Sequence, residues 1–364
     1  MNAEERRALA LSTGEVVTEI ASTVEDSSRV ARDRVRRALG PVGRIPMSII
    51  DTHQDGVYAV VEGVTRVSTT MAGEAAHRTA APDAASATEN PKWAPHVAAA
   101  GAAFGDRLDP ALTTPMGLRR DGVAIQPVDL VPSPTLIVFV HGLGATELQW
   151  SPDYLKVGPH ALVRYNSGRS IASNGADLCA LLDEIVAAAH VERLVIVGHS
   201  MGGLVARSAI AAGRDSRWLE VLTDLITLGS PHSGAPLERV AARGLAFGQR
   251  FRSAEPIVRL GQRRSQGIKD LRFGAMSDGD WTGEVDLEFV DATELIELPG
   301  HVHHHAVVAF LAPVIGDGIV PRHSAEHAGA DISVIPGDHL SLLKEPMVRD
   351  LLAQVVGSGT GLAM

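Results

Sequence analysis

Cysteine is almost absent from this chain. Cys179 stands alone among 364 residues, so no internal disulfide can form and neither an oxidising nor a reducing compartment is demanded. Cys179 lies in an apolar helical stretch and reads as a core residue. No run of about 18 apolar residues occurs, so no membrane-spanning helix is expected. The N-terminal MNAEERRALALSTGEVV lacks a basic segment followed by a long apolar one. No signal peptide is therefore expected, and the expected location is the cytoplasm, with contact at a membrane periphery left open. Positive charge is in deficit. Lys and Arg number 33 against 43 Asp and Glu, a formal net charge of -10, which argues against a duplex nucleic-acid binder. What is present is a globular composition, 45% hydrophobic and 21% charged. The chain is long enough for one α/β domain of roughly 250 residues plus further segments.

The chemistry concentrates in residues 193–212, RLVIVGHSMGGLVARSAIAA. Leu194, Val195, Ile196 and Val197 form a continuous apolar run, as a central parallel strand covered on both faces would. Leu204, Val205, Ser208 and Ala209 then recur at helical spacing. Between them stands Gly198-His199-Ser200-Met201-Gly202. A serine at such a strand-to-helix corner is held in a strained conformation with its hydroxyl at the top of the sheet. Gly198 and Gly202 relieve the crowding around it. The helix that follows aims unpaired N–H groups and its positive dipole end at any oxyanion formed there.

The rest of the chain supplies partners in order. Residues 1–80 read as amphipathic helices, with Val16, Val17, Ile20, Ala21 and Val24 on one face and Val57, Val60, Val61, Val64, Val67 and Met71 on another. They form either a helical cap on a core domain or a surface for lipid or a second subunit. Residues 77–90, rich in Ala, Ser, Thr and Pro, read as a linker. The expected division is an N-terminal helical extension over 1–90 and a core domain over 91–364. Residues 93–108 suggest a helix. Residues 117–123 suggest a strand running into an Asp-Gly hairpin turn. Residues 136–140 (LIVFV) are a buried strand capped by His141-Gly142-Leu143-Gly144. That loop offers the Leu143 amide, with the Met201 amide, as an oxyanion hole. Residues 161–165 read as a strand, and Asn174-Gly175-Ala176-Asp177 as the opening of a helix. Alternating strands and helices imply a parallel sheet with right-handed crossovers.

Residues 225–228 are a further strand, ending at the SPHSG segment that contains His232. Residues 236–300 carry an arginine-rich helical stretch and read as a lid over the site. His301, His303, His304 and His305 invite a metal reading, but neighbours on a strand point to opposite faces and this run cannot converge. They read instead as the start of the strand over 306–311. Asp317, between two glycines after that strand, can turn its carboxylate inward to orient an imidazole. His339 follows the strand over 332–335, ahead of a C-terminal helix that takes in Leu342, Leu343 and Val348. Ser200, Asp317 and His339 thus each follow a strand in the order of α/β-hydrolases, not of chymotrypsin or subtilisin. His232 falls too early in that order to be the base.

From Pro134 onward the chain resembles α/β-hydrolase lipases and esterases. HGLG, RYNSGRSIASNG, GHSMGG, SPHSGAP, GDGIVP and GDH are similar to motifs of bacterial lipases and of GPI inositol-deacylase-like hydrolases. The resemblance implies an α/β-hydrolase fold, a mostly parallel sheet flanked by helices. It implies cleavage of small-molecule or lipid carboxylic esters through an acyl-serine intermediate. Ser200 would be the nucleophile, Asp317 the acid, His339 the base, and Leu143 and Met201 the oxyanion donors. No cofactor or metal is expected. An acyltransferase or thioesterase with the same triad, and a non-catalytic lipid-surface binding protein on a hydrolase fold, remain alternatives at this point.

Overall fold

A computed structural model describes residues 2–8, 10–11, 68, 70–75, 77–78, 86–105, 109–235, 265–276, 296–311 and 316–357. The apolar faces expected over 16–24 and 57–67, the arginine-rich helix over 239–264 and most of the lid lie outside them. The chain divides into two compact units.

The smaller unit comprises Met1–Ala87, Leu108–Leu112 and Gly248–Arg264. Its described part is anchored by Glu5. The Glu5 amide donates to Asn2 Oδ1 at 2.9 Å, and the Glu5 carboxylate accepts from the Ala87 amide at 2.7 and 2.8 Å. A buried carboxylate is tolerable there because several donors satisfy it.

The larger unit holds an eight-stranded sheet. Its strands are β1 Gly117–Arg120, β2 Val123–Ile125, β3 Thr135–Val140, β4 His160–Arg164, β5 Arg193–His199, β6 Leu222–Leu228, β7 His303–Phe310 and β8 Asp331–Pro336. The order across the sheet is β2-β1-β4-β3-β5-β6-β7-β8. β1 runs antiparallel to β2 and β4, and every other pair is parallel. Among the described residues five helices of eight or more residues accompany it: α1 Ala94–Phe104, α2 Ile171–Ala189, α3 Met201–Ala212, α4 Gln266–Phe273 and α5 Pro346–Gly357.

β5 sits at the centre, and its side chains divide between two cores. Leu194 and Ile196 join the layer built with α2 and α3; Val195 and Val197 join the layer built with α5. This alternation lets one continuous apolar run serve both faces. α3 is buried along residues 201–210, as expected of a helix lying between the sheet and a second helix.

Several boundaries differ from the sequence reading, β6 for one starting at Leu222 and α1 ending at Phe104. α2 starts at Ile171, three residues before Asn174, because Ser170 Oγ caps it by accepting from the Ser173 amide at 3.0 Å. Asn174 is instead buried inside the helix and donates to the Asn166 carbonyl at 3.1 Å. At the C-terminus, Leu342 and Leu343 belong to a separate 3₁₀ turn, and the helix begins only at Pro346, where a proline fits the first helical turn. β7 already includes His303, His304 and His305, so these histidines are part of the strand and not only its approach. The expected hairpin is present: Asp121 and Gly122 both have positive φ, 53° and 85°, as a tight two-residue turn requires. Of the 236–300 insertion, α4 is described. It packs into the larger unit, where Asp270 Oδ2 accepts from the Ile171 amide at 2.7 Å. Among the described residues no helix is long and apolar enough to cross a membrane.

Candidate active site

The parallel strands end along one rim of the sheet, and the sequence-selected residues sit there. Ser200 follows β5 directly and has φ 53° and ψ -123°. This is left-handed territory that a side chain rarely adopts, so the surrounding packing must hold it. The packing is close. A Cβ on Gly198 would come within 2.5 Å of the Gly203 backbone, and one on Gly202 within 2.2 Å of the Val140 carbonyl oxygen. No larger residue fits either side of the corner. The Ser200 amide donates to the Leu228 carbonyl at 2.8 Å, which ties the elbow to the end of β6.

Gly229 follows at once, with φ 59°. Its amide donates to the Val307 carbonyl at 2.9 Å. A Cβ placed on it would meet His339 Nδ1 at 3.1 Å and Asp317 Oδ2 at 3.2 Å. The loops after β5, β6, β7 and β8 therefore crowd one spot.

Asp317 and His339 meet there. His339 Nδ1 lies 2.6 Å from Asp317 Oδ2, and both side chains are buried. The other carboxylate oxygen accepts from the Ile319 and Val320 amides at 2.9 and 2.7 Å. The His339 amide donates to the Asp317 carbonyl at 3.1 Å. The Ile319 and Val320 amides fix the orientation of the carboxylate. With its Nδ1–H donated to Asp317, His339 carries its lone pair on Nε2.

The HGLG loop lies against the elbow. A Cβ on Gly142 would stand 3.2 Å from Ser200 Cβ. His141 shapes this loop. Its ring stacks on Tyr165 with centroids 4.3 Å apart, its Nδ1 donates to the Gly142 carbonyl at 2.9 Å, and its Nε2 accepts from the Tyr165 amide at 3.2 Å. Burial pushes the His141 pKa down to about 4, so it stays neutral as those two bonds require. Ser167 Oγ accepts from the Gly144 amide at 2.9 Å. Among the described residues no acceptor faces the Leu143 or the Met201 amide.

One participant escaped the sequence reading. The His199 ring packs on the His339 ring with centroids 4.7 Å apart, and its Nε2 is 3.2 Å from the His339 carbonyl oxygen. Burial first, then the nearby His339, lowers its pKa to about 3. His199 is thus a neutral donor that holds the backbone of His339. Its place beside Ser200 in GHSMG was the only available signal. His232 contacts Arg207 and Thr227 instead. Of the histidine run, His304 is buried, His303 is exposed, and His305 faces Asp224 at 3.1 Å. Among the described residues no group of three or more His, Cys, Asp or Glu is placed to hold a metal.

Residues 180–280, which include the elbow, match the PGAP1-like alpha/beta domain family. RutD of Yersinia enterocolitica, named as a carbamate hydrolase, is 32% identical over 83 residues. That alignment covers 20% of this chain and 30% of the relative. Among solved structures, the mature lipase BlEst2 of Bacillus licheniformis is similar, with 22% identity and a TM-score of 0.43 over 61% of this chain and 94% of that one. A lipase-esterase related protein of Clostridium acetobutylicum gives 11% identity and a TM-score of 0.39, covering 63% and 97%. By strand order and elbow the chain has the α/β-hydrolase fold, and across residues 180–280 it is similar to the PGAP1-like alpha/beta domain family.

Proposed function

We propose that this protein is a serine hydrolase that cleaves carboxylic esters through an acyl-serine intermediate. The observation that carries the reading is the buried 2.6 Å contact between His339 Nδ1 and Asp317 Oδ2, on the rim where Ser200 stands at positive φ. Names given to similar proteins, lipase, esterase and hydrolase among them, support the same class.

In this mechanism Ser200 Oγ attacks the ester carbonyl as His339 Nε2 takes its proton. Asp317 keeps the imidazole in the required tautomer and stabilises the imidazolium. The oxyanion rests on the amides of Leu143 and Met201, aided by the N-terminus of α3. His339 then protonates the leaving alcohol. A water, activated by the same nitrogen, hydrolyses the acyl-serine and returns the proton to Ser200. The substrate proposed is a small-molecule or lipid ester, met in the cytoplasm or at a membrane edge.

The test is steady-state kinetics on short and long p-nitrophenyl esters. Ser200→Ala should lower kcat by about 10⁴ or more at unchanged stability, as loss of a triad nucleophile does. Wild-type turnover in the Ser200→Ala protein would remove the proposal.

A further inference from the structure

Arg207, on α3, is fully buried, and among the described residues it forms no ion pair with a carboxylate. Its Nη2 donates to the Ile296 carbonyl, its Nη1 lies 3.3 Å from His232 Nδ1, and among the described residues its Nε has no partner. Burial lowers its pKa only to about 10, so it stays charged at neutral pH. An interior cation without a counter-charge is costly.

Its neighbours carry the same bias. A guanidinium only donates, so His232 Nδ1 must accept and His232 Nε2 must hold the proton. That N–H points to Thr227 Oγ1 at 3.4 Å, and the hydroxyl in turn donates to His304 Nε2 at 3.0 Å. His304 is left protonated on Nδ1, a buried donor with no acceptor among the described residues. His327 completes a triangle of imidazoles. The ring centroids lie 5.5 Å apart for His232 and His304, 5.1 Å for His232 and His327, and 5.1 Å for His304 and His327. Among the described residues neither ring nitrogen of His327 makes a well-formed hydrogen bond, the ring having only a loose contact with the Ala328 backbone.

Among the described residues the cluster therefore holds two donors without an acceptor, Arg207 Nε–H and His304 Nδ1–H, and a third, one N–H of His327, with only a loose one. The one ring acceptor left over is the other nitrogen of His327. A water would add two more donors. A metal cation would sit against the Arg207 charge. A group that only accepts, and is negatively charged, meets both needs at once. His327 is partly exposed and gives such a group a way in.

We propose that Arg207, His232, His304 and His327 form a binding site for a small hydrogen-bond-accepting anion, separate from the Asp317–His339 pair and independent of the esterase reading. The test is the melting temperature of the full chain in rising sodium chloride, phosphate or acetate. Ionic strength is held constant with a bulky morpholine sulfonate, and the arms separate halide, phosphate and carboxylate. At least one anion should give a saturable rise on the order of 5 °C. Arg207→Met should abolish it. His327→Phe, at the partly exposed corner, should raise the half-saturating concentration about tenfold and serves should Arg207→Met fail to fold. A melting temperature that follows ionic strength whatever the anion would overturn the site. So would an unchanged half-saturation in His327→Phe, or a loss of stability on EDTA restored by Zn²⁺.

Discussion

Ser200 keeps a backbone angle that only tight surroundings can impose, and the two glycines beside it are part of that imposition. Gly202→Ala would drive a methyl into the Val140 and His141 carbonyl oxygens, at 2.2 and 2.6 Å. We expect a loss of about 3 kcal/mol of stability, together with activity, in a denaturant melt; a melt like that of wild type would show that the corner can relax. Asp317→Asn keeps the shape of the acid but presents an amide to His339 Nδ1. It should lower kcat by about 10⁴ while the melt barely moves. Near-normal turnover would mean that another group orients His339. At this scale the sequence was informative for residues tied to local pattern. Ser200 declares itself through glycines two positions away, and Asp317 and His339 through their place after a strand. His199 was not legible in its role, because its partner carbonyl is 140 positions along the chain and only folding brings them together. The Arg207 cluster was hidden for the same reason, since its members come from α3, β6, β7 and two loops.

Elements with a strong period could be read directly, and their ends could not. The strands over 136–140 and 194–197 needed only apolar runs, whereas the start of α2 depended on the Ser170 cap and not on the Asn-Gly that follows. A glycine inside that helix is explained by the neighbouring helix: a Cβ on Gly175 would meet Ser208 Oγ at 2.3 Å. Another feature invisible to periodicity ties β4 to the turn after the HGLG loop. Arg164 and Glu147 form a two-pronged ion pair, with side chains 2% and 0% exposed. Breaking it from one side strands a buried charge, so Arg164→Met should destabilise by about 3–5 kcal/mol. Arg164→Met combined with Glu147→Leu should recover most of that loss, since an apolar pair of similar volume has no charge to desolvate. Equal losses in the single and double variants, measured by urea melts, would contradict this account.

The molecule as a whole carries several imidazoles kept neutral by burial. The pKa values of His141 and His327 are lowered to about 4, and those of His199 and His304 to about 3. An unfolded histidine titrates near 6.5, so below that pH the unfolded chain binds protons that the folded chain refuses. Stability should therefore be full above about pH 6.5 and fall as pH drops from there towards 3. The slope is up to about 1.4 kcal/mol per pH unit for each such group. Urea midpoints at pH 7.5 and 5.5 check this, and equal midpoints would refute it. The parallel sheet was legible because alternating strands and helices dictate it, and the division at residue 90 and the N-terminal amphipathic faces stay at the level of expectation. The central claim is that Ser200 is an activated nucleophile. Its most direct measurement is labelling of the native protein with a fluorophosphonate, followed by peptide mass mapping. The account predicts one phosphonyl group, on the peptide holding Ser200, absent in Ser200→Ala and strongly slowed in His339→Ala. A native protein whose Ser200 stays unlabelled, or labels equally fast without His339, would contradict it.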